Sequence, residues 1–485
     1  MRSLLGVINV LGSLLALFSL YFLLPVITAL AYREPAALPF LSCGIATGLL
    51  GLVLRFATAR FKTELKPRDG YLLITLGWIV VAAVAAAPLM LLISGLSFTD
   101  AFFESMSALS TTGSTVLSGI DGLPHSVNLW RLALCWLGGM GIIVLAVAVL
   151  PLLGVGGMQM YRAETPSPVK DAKLTPRITE TARTLWLMYV AMTLACMLAY
   201  LGAGMSPFDA LCHAFSTLAL SGTSTHDRSF GYFNSPQIEF VAIVFMLVAA
   251  VNFSTHFVAI RKRAFGLYPR DPEARWMLIW ILASCIGLSS FIYEMRIYPD
   301  YFSALRNVSF NLVSLATSTG YVSTDYGRWP VFAPLWMLFL SCICSSTGST
   351  GGGIKVFRTL VLIKQSFREM FTLVHPQAVT PLKINGVVVP NRVVYSVLAF
   401  IFLYFMTIVT LTFTMLASGL DLETSLTAVI ASINNAGPGL GAVGPAGNYA
   451  SLTDFQTWIC STAMFLGRLE LFTVLVLFTP TFWRK

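Results

Sequence analysis

The sequence predicts an all-α polytopic membrane protein with about ten transmembrane helices. Hydrophobic residues make up 56% of its 485 positions and charged residues only 11%, which is too apolar for a soluble globular protein. Four short glycine-containing segments recur between its apolar runs at a spacing of roughly 100 residues. The runs, each long enough to cross a hydrocarbon core of about 30 Å at about 1.5 Å per residue, begin near Leu4, Leu38, Tyr71, Leu129, Thr184, Ile238, Trp276, Val331, Val393 and Phe455.

The first run could be mistaken for a secretion signal because it ends in the small-residue sequence TALA at Thr28–Ala31. Its apolar stretch is longer than the roughly 7 to 15 residues of a signal-peptide core. We therefore expect it to remain in the protein as a membrane anchor.

The basic residues predict the orientation in the membrane. They concentrate in the loops that follow the even-numbered runs, which by the positive-inside rule face the cytoplasm together with both termini. The net charge of +9 is thus attributed to topology and not to nucleic-acid binding. The four basic loops are Arg55–Arg68, Arg162–Arg183, Arg261–Arg275 and Lys355–Arg392.

The opposite side of the membrane is predicted to be acidic, with few basic residues among its carboxylates. An acidic mouth concentrates cations, although ordinary solvated loops would give the same composition. The carboxylates in question are Asp100, Glu104, Asp121, Asp209, Asp227, Glu294, Asp300, Asp325, Asp421, Glu423 and Asp454.

Nothing in the sequence indicates an enzyme or an organic cofactor. The eight cysteines lie mostly inside apolar runs without CxxC spacing, which is typical of small core residues. The five histidines form no pair at metal-binding spacing, and no hydrolase triad is evident.

The four glycine segments predict a pore. They read LSTTGST, LALSGTS, LATSTGY and INNAGPG, around Gly113, Gly222, Gly320 and Gly437, and each follows about a dozen helix-compatible residues. A non-helical segment at membrane depth is tolerated where it lines a cavity, so four of them indicate one shared aqueous cavity. Glycine permits backbone conformations that turn carbonyl oxygens inward, and half-helix C-termini favour a cation. A single such glycine would more simply mark a turn or a close helix contact; four in register predict a cation selectivity filter.

The predicted filter comprises three residues from each repeat, and the polar neighbours of the glycines are expected to brace it by hydrogen bonds. The bracing side chains are those of Thr111, Thr112, Ser221, Ser318, Thr319, Asn434 and Asn435. The filter residues are Thr111, Thr112 and Gly113; Leu220, Ser221 and Gly222; Ser318, Thr319 and Gly320; and Asn435, Ala436 and Gly437.

The predicted organisation is an N-terminal two-helix unit followed by four pseudo-symmetric repeats around one pore. Each repeat consists of a span, a pore helix, a filter loop and a second span. The units are residues 1–69, then repeats at 70–160, 161–265, 266–375 and 376–485, the third of which carries an intramembrane loop.

The eighth apolar run is interrupted by SSTGSTGGG at Ser345–Gly353 and then resumes. Along a helix, the start of the run and the interruption are about 22 Å apart, so the interruption is expected deep in the membrane, on the ion path. A phosphate-binding loop is disfavoured because the G-x-x-x-x-G-K-[ST] spacing is absent. A passive kink remains an alternative to a movable gate.

Arg468 is predicted to lie midway along the final run, where a charge is costly and by default functional. Glu470 points to another face of the same helix, so the guanidinium is expected to bond carbonyl groups of the glycine-rich loop. An ion pair with an acid from another helix is the alternative. Gly138, Gly139 and Gly141 are expected to permit close helix packing.

These features resemble the Trk/Ktr/HKT superfamily of potassium transporters. The filters TTGST, LSGTS, STGYV and NAGPG carry the resemblance, and the chain is most similar to the TrkH membrane subunits of bacterial Trk potassium-uptake systems through WLGGMGI at Trp136–Ile142, STGSTGGGIKVFR and FLGRLEL. The resemblance implies potassium as the transported ion, coordinated at Gly113, Gly222, Gly320 and Gly437. Serine at the first of these positions accompanies sodium permeation in some plant members. Because only STGYV approaches a potassium-channel filter, selectivity looser than that of a symmetric channel is expected.

The resemblance also implies a gate in which Arg468 holds the loop in a blocking state. A homodimer is implied in the lipid of the bacterial inner membrane, with a cytosolic regulatory ring, TrkA, that binds ATP, ADP or NAD. The basic loops Lys170–Arg183 and Lys355–Arg392 are its expected docking surface. The implied gate residues are Ser346, Thr347, Gly348, Ser349, Thr350, Gly351, Gly352, Gly353, Lys355 and Arg468.

The predicted function is therefore gated potassium uptake through a pore. An ion-coupled secondary potassium symporter with broken helices is the alternative. Four direct repeats favour the pore, because alternating-access transporters usually pair inverted or twofold repeats.

Overall fold

The computed structural model describes residues 2–61, 66–144 and 178–484, and this part of the chain is almost entirely α-helical. The helices are α1 (Arg2–Phe18), α2 (Leu23–Ala31), α3 (Ala37–Ala57), α4 (Pro67–Leu92), α5 (Phe98–Leu109), α6 (His125–Val144), α7 (Ile178–Gly202), α8 (Pro207–Ala219), α9 (Pro236–Ala250), α10 (Phe253–Lys262), α11 (Pro272–Glu294), α12 (Tyr301–Ala316), α13 (Phe332–Ile343), α14 (Val356–Val374), α15 (Asn391–Ala417), α16 (Leu422–Ile433), α17 (Asp454–Arg468), α18 (Phe472–Leu475) and α19 (Pro480–Trp483). Short 3₁₀ turns join several of them, of which Ser19–Phe22 links α1 to α2.

One small antiparallel hairpin interrupts the helices. Strand β1 (Lys383–Ile384) pairs with β2 (Val387–Val388), with Ile384 opposite Val387. The two residues between the strands, Asn385 and Gly386, both have positive φ, which is the requirement of a type I′ turn.

Six segments of the described chain are long and apolar enough to cross a membrane by themselves. The prediction of a polytopic all-α membrane protein is therefore confirmed. Helix α6 provides the start of the fourth predicted run, and residues 145–177 lie outside the described part of the chain, together with the boundary predicted at residues 160 and 161 and most of the basic loop Arg162–Arg183. The six spans are Leu4–Ala31, Ala37–Ala57, Arg68–Leu92, Arg183–Gly202, Pro272–Glu294 and Asn391–Ala417.

Two predicted spans are sharply broken. Helices α9 and α10 meet at 96°, and α17 meets the segment Phe472–Phe478 at 104°. An apolar run cannot reveal these bends, because it reports only hydrophobic length. At the first break, Asn252 caps α10 by accepting a hydrogen bond from the Ser254 amide at 2.8 Å. At the second, Glu470 and Leu471 have positive φ.

Four short helices, α5, α8, α12 and α16, each lie between two apolar helices. At 12 to 16 residues they are too short to cross the hydrocarbon core. Each begins with a capping residue whose side-chain oxygen accepts a hydrogen bond from the backbone amide three residues later, at 2.9 to 3.1 Å. The caps are Ser97, Ser206, Asp300 and Asp421. These re-entrant helices coincide with the four predicted half-helices of about a dozen residues, and the third is longer than expected, with 16 residues.

Candidate ion pathway

All four re-entrant helices end with the same backbone geometry. The second residue before each glycine is left-handed, with φ between 52° and 59°, and the glycine itself has φ between 71° and 91°. The amide of the residue between them bonds the carbonyl five residues back at 2.8 to 3.0 Å, a Schellman-type ending. The left-handed residues are Thr111, Leu220, Ser318 and Asn435, followed by Thr112, Ser221, Thr319 and Ala436.

The four glycines form a closed ring. A Cβ atom added to Gly113 would lie 1.9 Å from the Ser221 carbonyl oxygen, and one added to Gly222 would lie 2.2 Å from that of Thr319. A Cβ added to Gly320 would lie 2.4 Å from the Ala436 carbonyl oxygen. One added to Gly437 would lie 2.9 Å from the Thr112 carbonyl oxygen, which closes the ring at the first repeat. Every glycine thus packs against the carbonyl that precedes the next glycine, so all twelve predicted filter residues lie together around one axis.

Several polar neighbours brace this ring, as the sequence analysis expected, but Thr111 Oγ1, which was also expected to take part, has no hydrogen-bond partner among the described residues. The Asn435 amide nitrogen donates to Thr112 Oγ1 at 3.0 Å and to the Met464 carbonyl at 2.9 Å. The Asn434 amide nitrogen reaches Ser341 Oγ at 3.0 Å, and its oxygen accepts from the Tyr404 hydroxyl. These bonds connect the fourth filter segment to the first repeat and to the end of α13.

A second set of braces, which sequence reasoning did not find, lies behind the filter. In each repeat a polar side chain nine or ten residues before the glycine holds the strand two or three residues after it. Glu104 accepts from Thr115 and from the Val116 amide, and His213 bonds Ser224. Asn311 bonds Ser323, and Thr427 bonds the backbone of Leu440. Because the four side chains differ in chemistry, alignment of the repeats by residue type hides their common position.

Glu104 was predicted to belong to the acidic mouth, and that prediction is wrong. Its side chain is 3% exposed and pairs with Arg131, itself 4% exposed, at 3.2 Å. The same guanidinium reaches the Ser224 carbonyl at 3.4 Å, so the pair joins the filter strands of repeats 1 and 2. Asp300 and Asp421, also assigned to the mouth, serve as helix caps.

The outer loops of repeats 1 and 2 are clasped by His226. Its Nδ1 lies 2.5 Å from Asp121 and its Nε2 lies 3.4 Å from Asp209. Burial alone would lower the pKa of His226, but its hydrogen bonds to these two carboxylates and their negative charge outweigh burial and raise it. Asp227 strengthens the clasp by accepting the Gly119 amide at 2.9 Å.

The glycine-rich segment Ser345–Gly353 lies against the inner ends of the re-entrant helices. A Cβ on Gly352 would lie 2.1 Å from the Asn434 carbonyl oxygen, and one on Gly351 would lie 3.2 Å from that of Thr317. Thr350 Oγ1 donates to the Leu218 carbonyl at 3.1 Å. The loop therefore contacts the carbonyls that lead into the filter in repeats 2, 3 and 4.

The break between α9 and α10 is where this loop is attached. The Ser346 amide donates to the Ala250 carbonyl at 3.1 Å, and the Phe253 amide donates to the Gly348 carbonyl at 3.2 Å. The Thr347 amide donates to Glu273 at 2.6 Å. Backbone groups that the bend would leave unsatisfied at membrane depth are thus paired with the loop, which is a physical reason for the bend. Asn252 within an apolar run is the one sequence signal that pointed to it.

Arg468 connects the loop to repeat 1. Its Nη1 donates to the Thr350 carbonyl at 2.7 Å and its Nη2 to the Gly138 carbonyl at 3.2 Å, and its side chain is buried. The expectation that the guanidinium bonds carbonyl groups of the loop is therefore correct for one loop residue. Among the described residues Arg468 forms no ion pair. Its predicted position midway along a span is wrong, because α17 ends at Arg468.

Glu470 instead forms the centre of an ionic triad that the sequence analysis did not predict. It lies 3.3 Å from Lys355 Nζ and 2.8 Å from Arg358 Nη2, whose guanidinium also stacks 4.1 Å above the Phe400 ring. Lys355 and Arg358 were placed in a basic docking loop, yet they are 7% and 2% exposed. Pairing with Glu470 explains how two cations tolerate this burial.

Two glycines let outer helices approach the ring. A Cβ on Gly138 would lie 1.8 Å from the Leu109 carbonyl oxygen, and one on Gly467 would lie 1.9 Å from that of Ile433. Gly139 packs against Ala219, so the packing prediction is confirmed for Gly138 and Gly139. A Cβ added to Gly141 would lie 3.8 Å from the Trp78 ring, an ordinary van der Waals distance, so the described residues show no close approach at Gly141.

Several buried polar atoms between filter and loop have no protein partner among the described residues. They include Thr111 Oγ1, Asn435 Oδ1, Ser346 Oγ and Arg468 Nε. Buried polar atoms of this kind are usually satisfied by ordered water. Ordered water in a polar cavity between the filter and the loop would satisfy them.

Comparisons with known proteins agree with this geometry. The family described as "TrkH: Cation transport protein" matches residues 39–485. The chain is 44% identical over 485 residues to the Trk system potassium uptake protein TrkH of Vibrio parahaemolyticus, covering 99% of each. It is 45% identical over 481 residues to that of Salmonella typhimurium, again covering 99% of each. The crystal structure of the potassium transporter TrkH from Vibrio parahaemolyticus superposes with a TM-score of 0.91 at 42% identity, covering 100% of this chain and 99% of that one.

Proposed function

Because the chain belongs to the TrkH family of cation transport proteins, we propose that it takes up potassium through a gated, cation-selective pore. The closed ring of Gly113, Gly222, Gly320 and Gly437 carries this proposal. A ring of backbone oxygens can replace the hydration shell of a cation. The four helix C-termini add partial negative charge at the same place. The chain is a transport protein and not an enzyme.

In the proposed filter, potassium is coordinated by backbone oxygens of the twelve residues at and before the four glycines. The left-handed residues and glycines supply the backbone reversals that bring these oxygens to one axis. Potassium is the transported ion, and no organic cofactor takes part in this chain. The five predicted units, with boundaries after residues 69, 160, 265 and 375, describe the proposed organisation.

The proposed gate is the segment Ser346–Gly353 with Lys355 and Arg468. Its contacts with the carbonyls of Leu218, Thr317 and Asn434 support this, because a segment packed there obstructs the axis on the inner side of the ring. Four glycines within the six residues Gly348–Gly353 favour movement, since they lack side chains that would interlock with the surroundings. The Glu470 triad then anchors the C-terminal end of the moving segment.

We further propose a homodimer in the bacterial inner membrane with both termini in the cytoplasm, regulated by a cytosolic TrkA ring that binds ATP, ADP or NAD. The Trk system names of the relatives support a partner subunit. Because Lys355 and Arg358 are buried, the proposed docking surface is limited to the more exposed residues of α14 and of the segment with the β1–β2 hairpin that follows it. In the other predicted docking loop, Lys170–Arg183, residues 170–177 lie outside the described part of the chain.

Neutralising basic groups on this surface is expected to weaken ring binding. Lys383 is exposed, and Arg368 is half-buried, with its Nη1 donating to Asn391 at 3.1 Å. Lys364 should be left intact because its ammonium group donates to the Lys383 carbonyl and holds the hairpin to α14. The double variant Arg368→Gln with Lys383→Gln should reduce capture of the ring in a pull-down, while potassium flux through the isolated protein stays unchanged. Arg328→Gln, an 87% exposed arginine predicted on the opposite side, is the matched control. Undiminished capture would refute this docking surface.

Electrical recording tests the proposed function most directly. Purified protein in a planar bilayer should show unitary potassium currents, because a pore passes many ions per opening. A symporter would give only macroscopic currents, with a fixed coupling to a second ion. Absence of unitary steps from protein that catalyses flux in liposomes would decide against the pore.

A further inference from the structure

We propose that the fourth glycine carbonyl is withheld from the ion by two hydroxyl groups, so that Ser114 and Tyr449 tune selectivity. The inference rests on the proposed filter and concerns a difference among its four glycine carbonyl groups. Ser114 Oγ donates to the Gly437 carbonyl oxygen at 3.0 Å, and the Tyr449 hydroxyl donates to the same oxygen at 2.9 Å. A carbonyl oxygen has two lone pairs, and both are occupied here.

The two donors are held firmly. Ser114 is 5% and Tyr449 2% exposed. The Tyr449 amide donates to the Thr115 carbonyl at 2.8 Å, and its ring packs against Phe103 with centroids 5.3 Å apart. Loss of one hydroxyl would therefore leave the surrounding packing in place.

The other three glycine carbonyls accept no hydrogen bond from the described residues. The reason lies in the residue that follows each glycine. Ser114 reaches back to Gly437 of the preceding repeat, whereas Thr223 bonds Ser221 and Cys135. The Tyr321 hydroxyl is directed to the His213 carbonyl, and Pro438 has no donor. Only the junction between repeats 4 and 1 therefore has a serine in position to cap the preceding glycine.

An oxygen whose lone pairs already accept two hydrogen bonds attracts a cation less than a free carbonyl does. At the level of the glycines the filter then offers three strong oxygen ligands and one weak one. The larger potassium ion gains more than sodium from a high number of carbonyl ligands. The capped carbonyl accordingly lowers the preference for potassium below that of a fourfold equivalent ring.

Removing either hydroxyl should therefore make the pore more selective. We expect Tyr449→Phe and Ser114→Ala each to raise the potassium-to-sodium permeability ratio by about two- to tenfold, the range of one neutral hydrogen bond. The double variant should exceed either single one. Ser114→Thr, which keeps the hydroxyl, should match the wild type. Bi-ionic reversal potentials of the purified protein measure all four.

The control is Tyr326→Phe, a buried tyrosine whose hydroxyl bonds nothing among the described residues. It should leave the ratio unchanged. A merely structural role of Tyr449 would lower selectivity on loss of its hydroxyl, so an unchanged or reduced ratio in Tyr449→Phe overturns the inference. Gly113→Ala, measured alongside, separates failure of this inference from failure of the proposed filter. If Gly113→Ala also leaves the permeability ratio unchanged, the filter assignment itself fails.

Discussion

Replacing Arg468 with alanine is expected to make the isolated protein leak potassium. The change deletes the bonds from the guanidinium to the Thr350 and Gly138 carbonyls and removes a positive charge beside the path. Each charged hydrogen bond is worth about 1.5 to 3 kcal/mol, so loss of one shifts a closed-to-open ratio by roughly tenfold or more. Rubidium uptake into liposomes without the regulatory ring measures the leak.

The gate can also be opened by shortening the loop. Deleting Thr350–Gly352 removes the residues nearest the Leu218 and Asn434 carbonyls but spares the attachments of Ser346 and Gly348 to the α9–α10 break. This variant should leak as Arg468→Ala does. The two changes together should add little, because both act on one element.

Two arginine variants serve as controls for the leak. Arg468→Lys keeps the charge but not the planar fork, so its flux should fall between wild type and Arg468→Ala. Arg328→Ala removes an exposed arginine and should leave flux at the wild-type level. If Arg468→Ala and the loop deletion both retain wild-type flux, the gate lies elsewhere and the loop is a passive kink.

Replacing Gly113 with serine is expected to lower the potassium-to-sodium permeability ratio by roughly tenfold, the effect of about 1.4 kcal/mol. The structure places the added Cβ 1.9 Å from the Ser221 carbonyl oxygen, so the new side chain displaces a carbonyl group of the proposed filter in the next repeat. The left-handed conformation at φ +80° adds strain. Bi-ionic reversal potentials provide the measurement.

The contacts around the ring predict a graded series. Gly113→Ala should have the largest effect and Gly437→Ala the smallest, because their added Cβ atoms approach the neighbouring oxygen to 1.9 and 2.9 Å. Gly119→Ala is the matched control, since Gly119 also has positive φ but no heavy atom within 4 Å of an added Cβ. A permeability ratio that is the same in Gly113→Ser and Gly119→Ala would remove Gly113 from the filter.

Much of the architecture was predictable because its determinants are local. Hydrophobic length identified the spans, since a hydrocarbon core of fixed thickness demands it. The half-helices and glycines were predictable because a Schellman-type ending needs left-handed residues within a few positions of the helix end. The packing of Gly138 and the contact of Arg468 with the loop followed from residue type and position.

Other features depended on residues far apart in the chain. The bend at Asn252 forms because the loop near Gly348 supplies partners for its backbone groups, and no apolar pattern records that pairing. Glu470 was expected to be a poor partner within its own helix. Its true partners, Lys355 and Arg358, lie more than 100 residues earlier, where the charges suggested a solvated loop.

The sequence by itself determined that this chain is a membrane protein with four glycine-centred re-entrant segments, because hydrophobic length and the backbone freedom of glycine act locally. Only the tertiary structure decided the order in which the glycines meet. It also decided that, among the four glycine carbonyls, the one of Gly437 is capped by Ser114 and Tyr449 while the described residues donate to none of the others. Both are set by where carbonyl oxygens of different repeats point once the helices have packed, and hydrogen bonds across such distances leave no periodic trace in the chain.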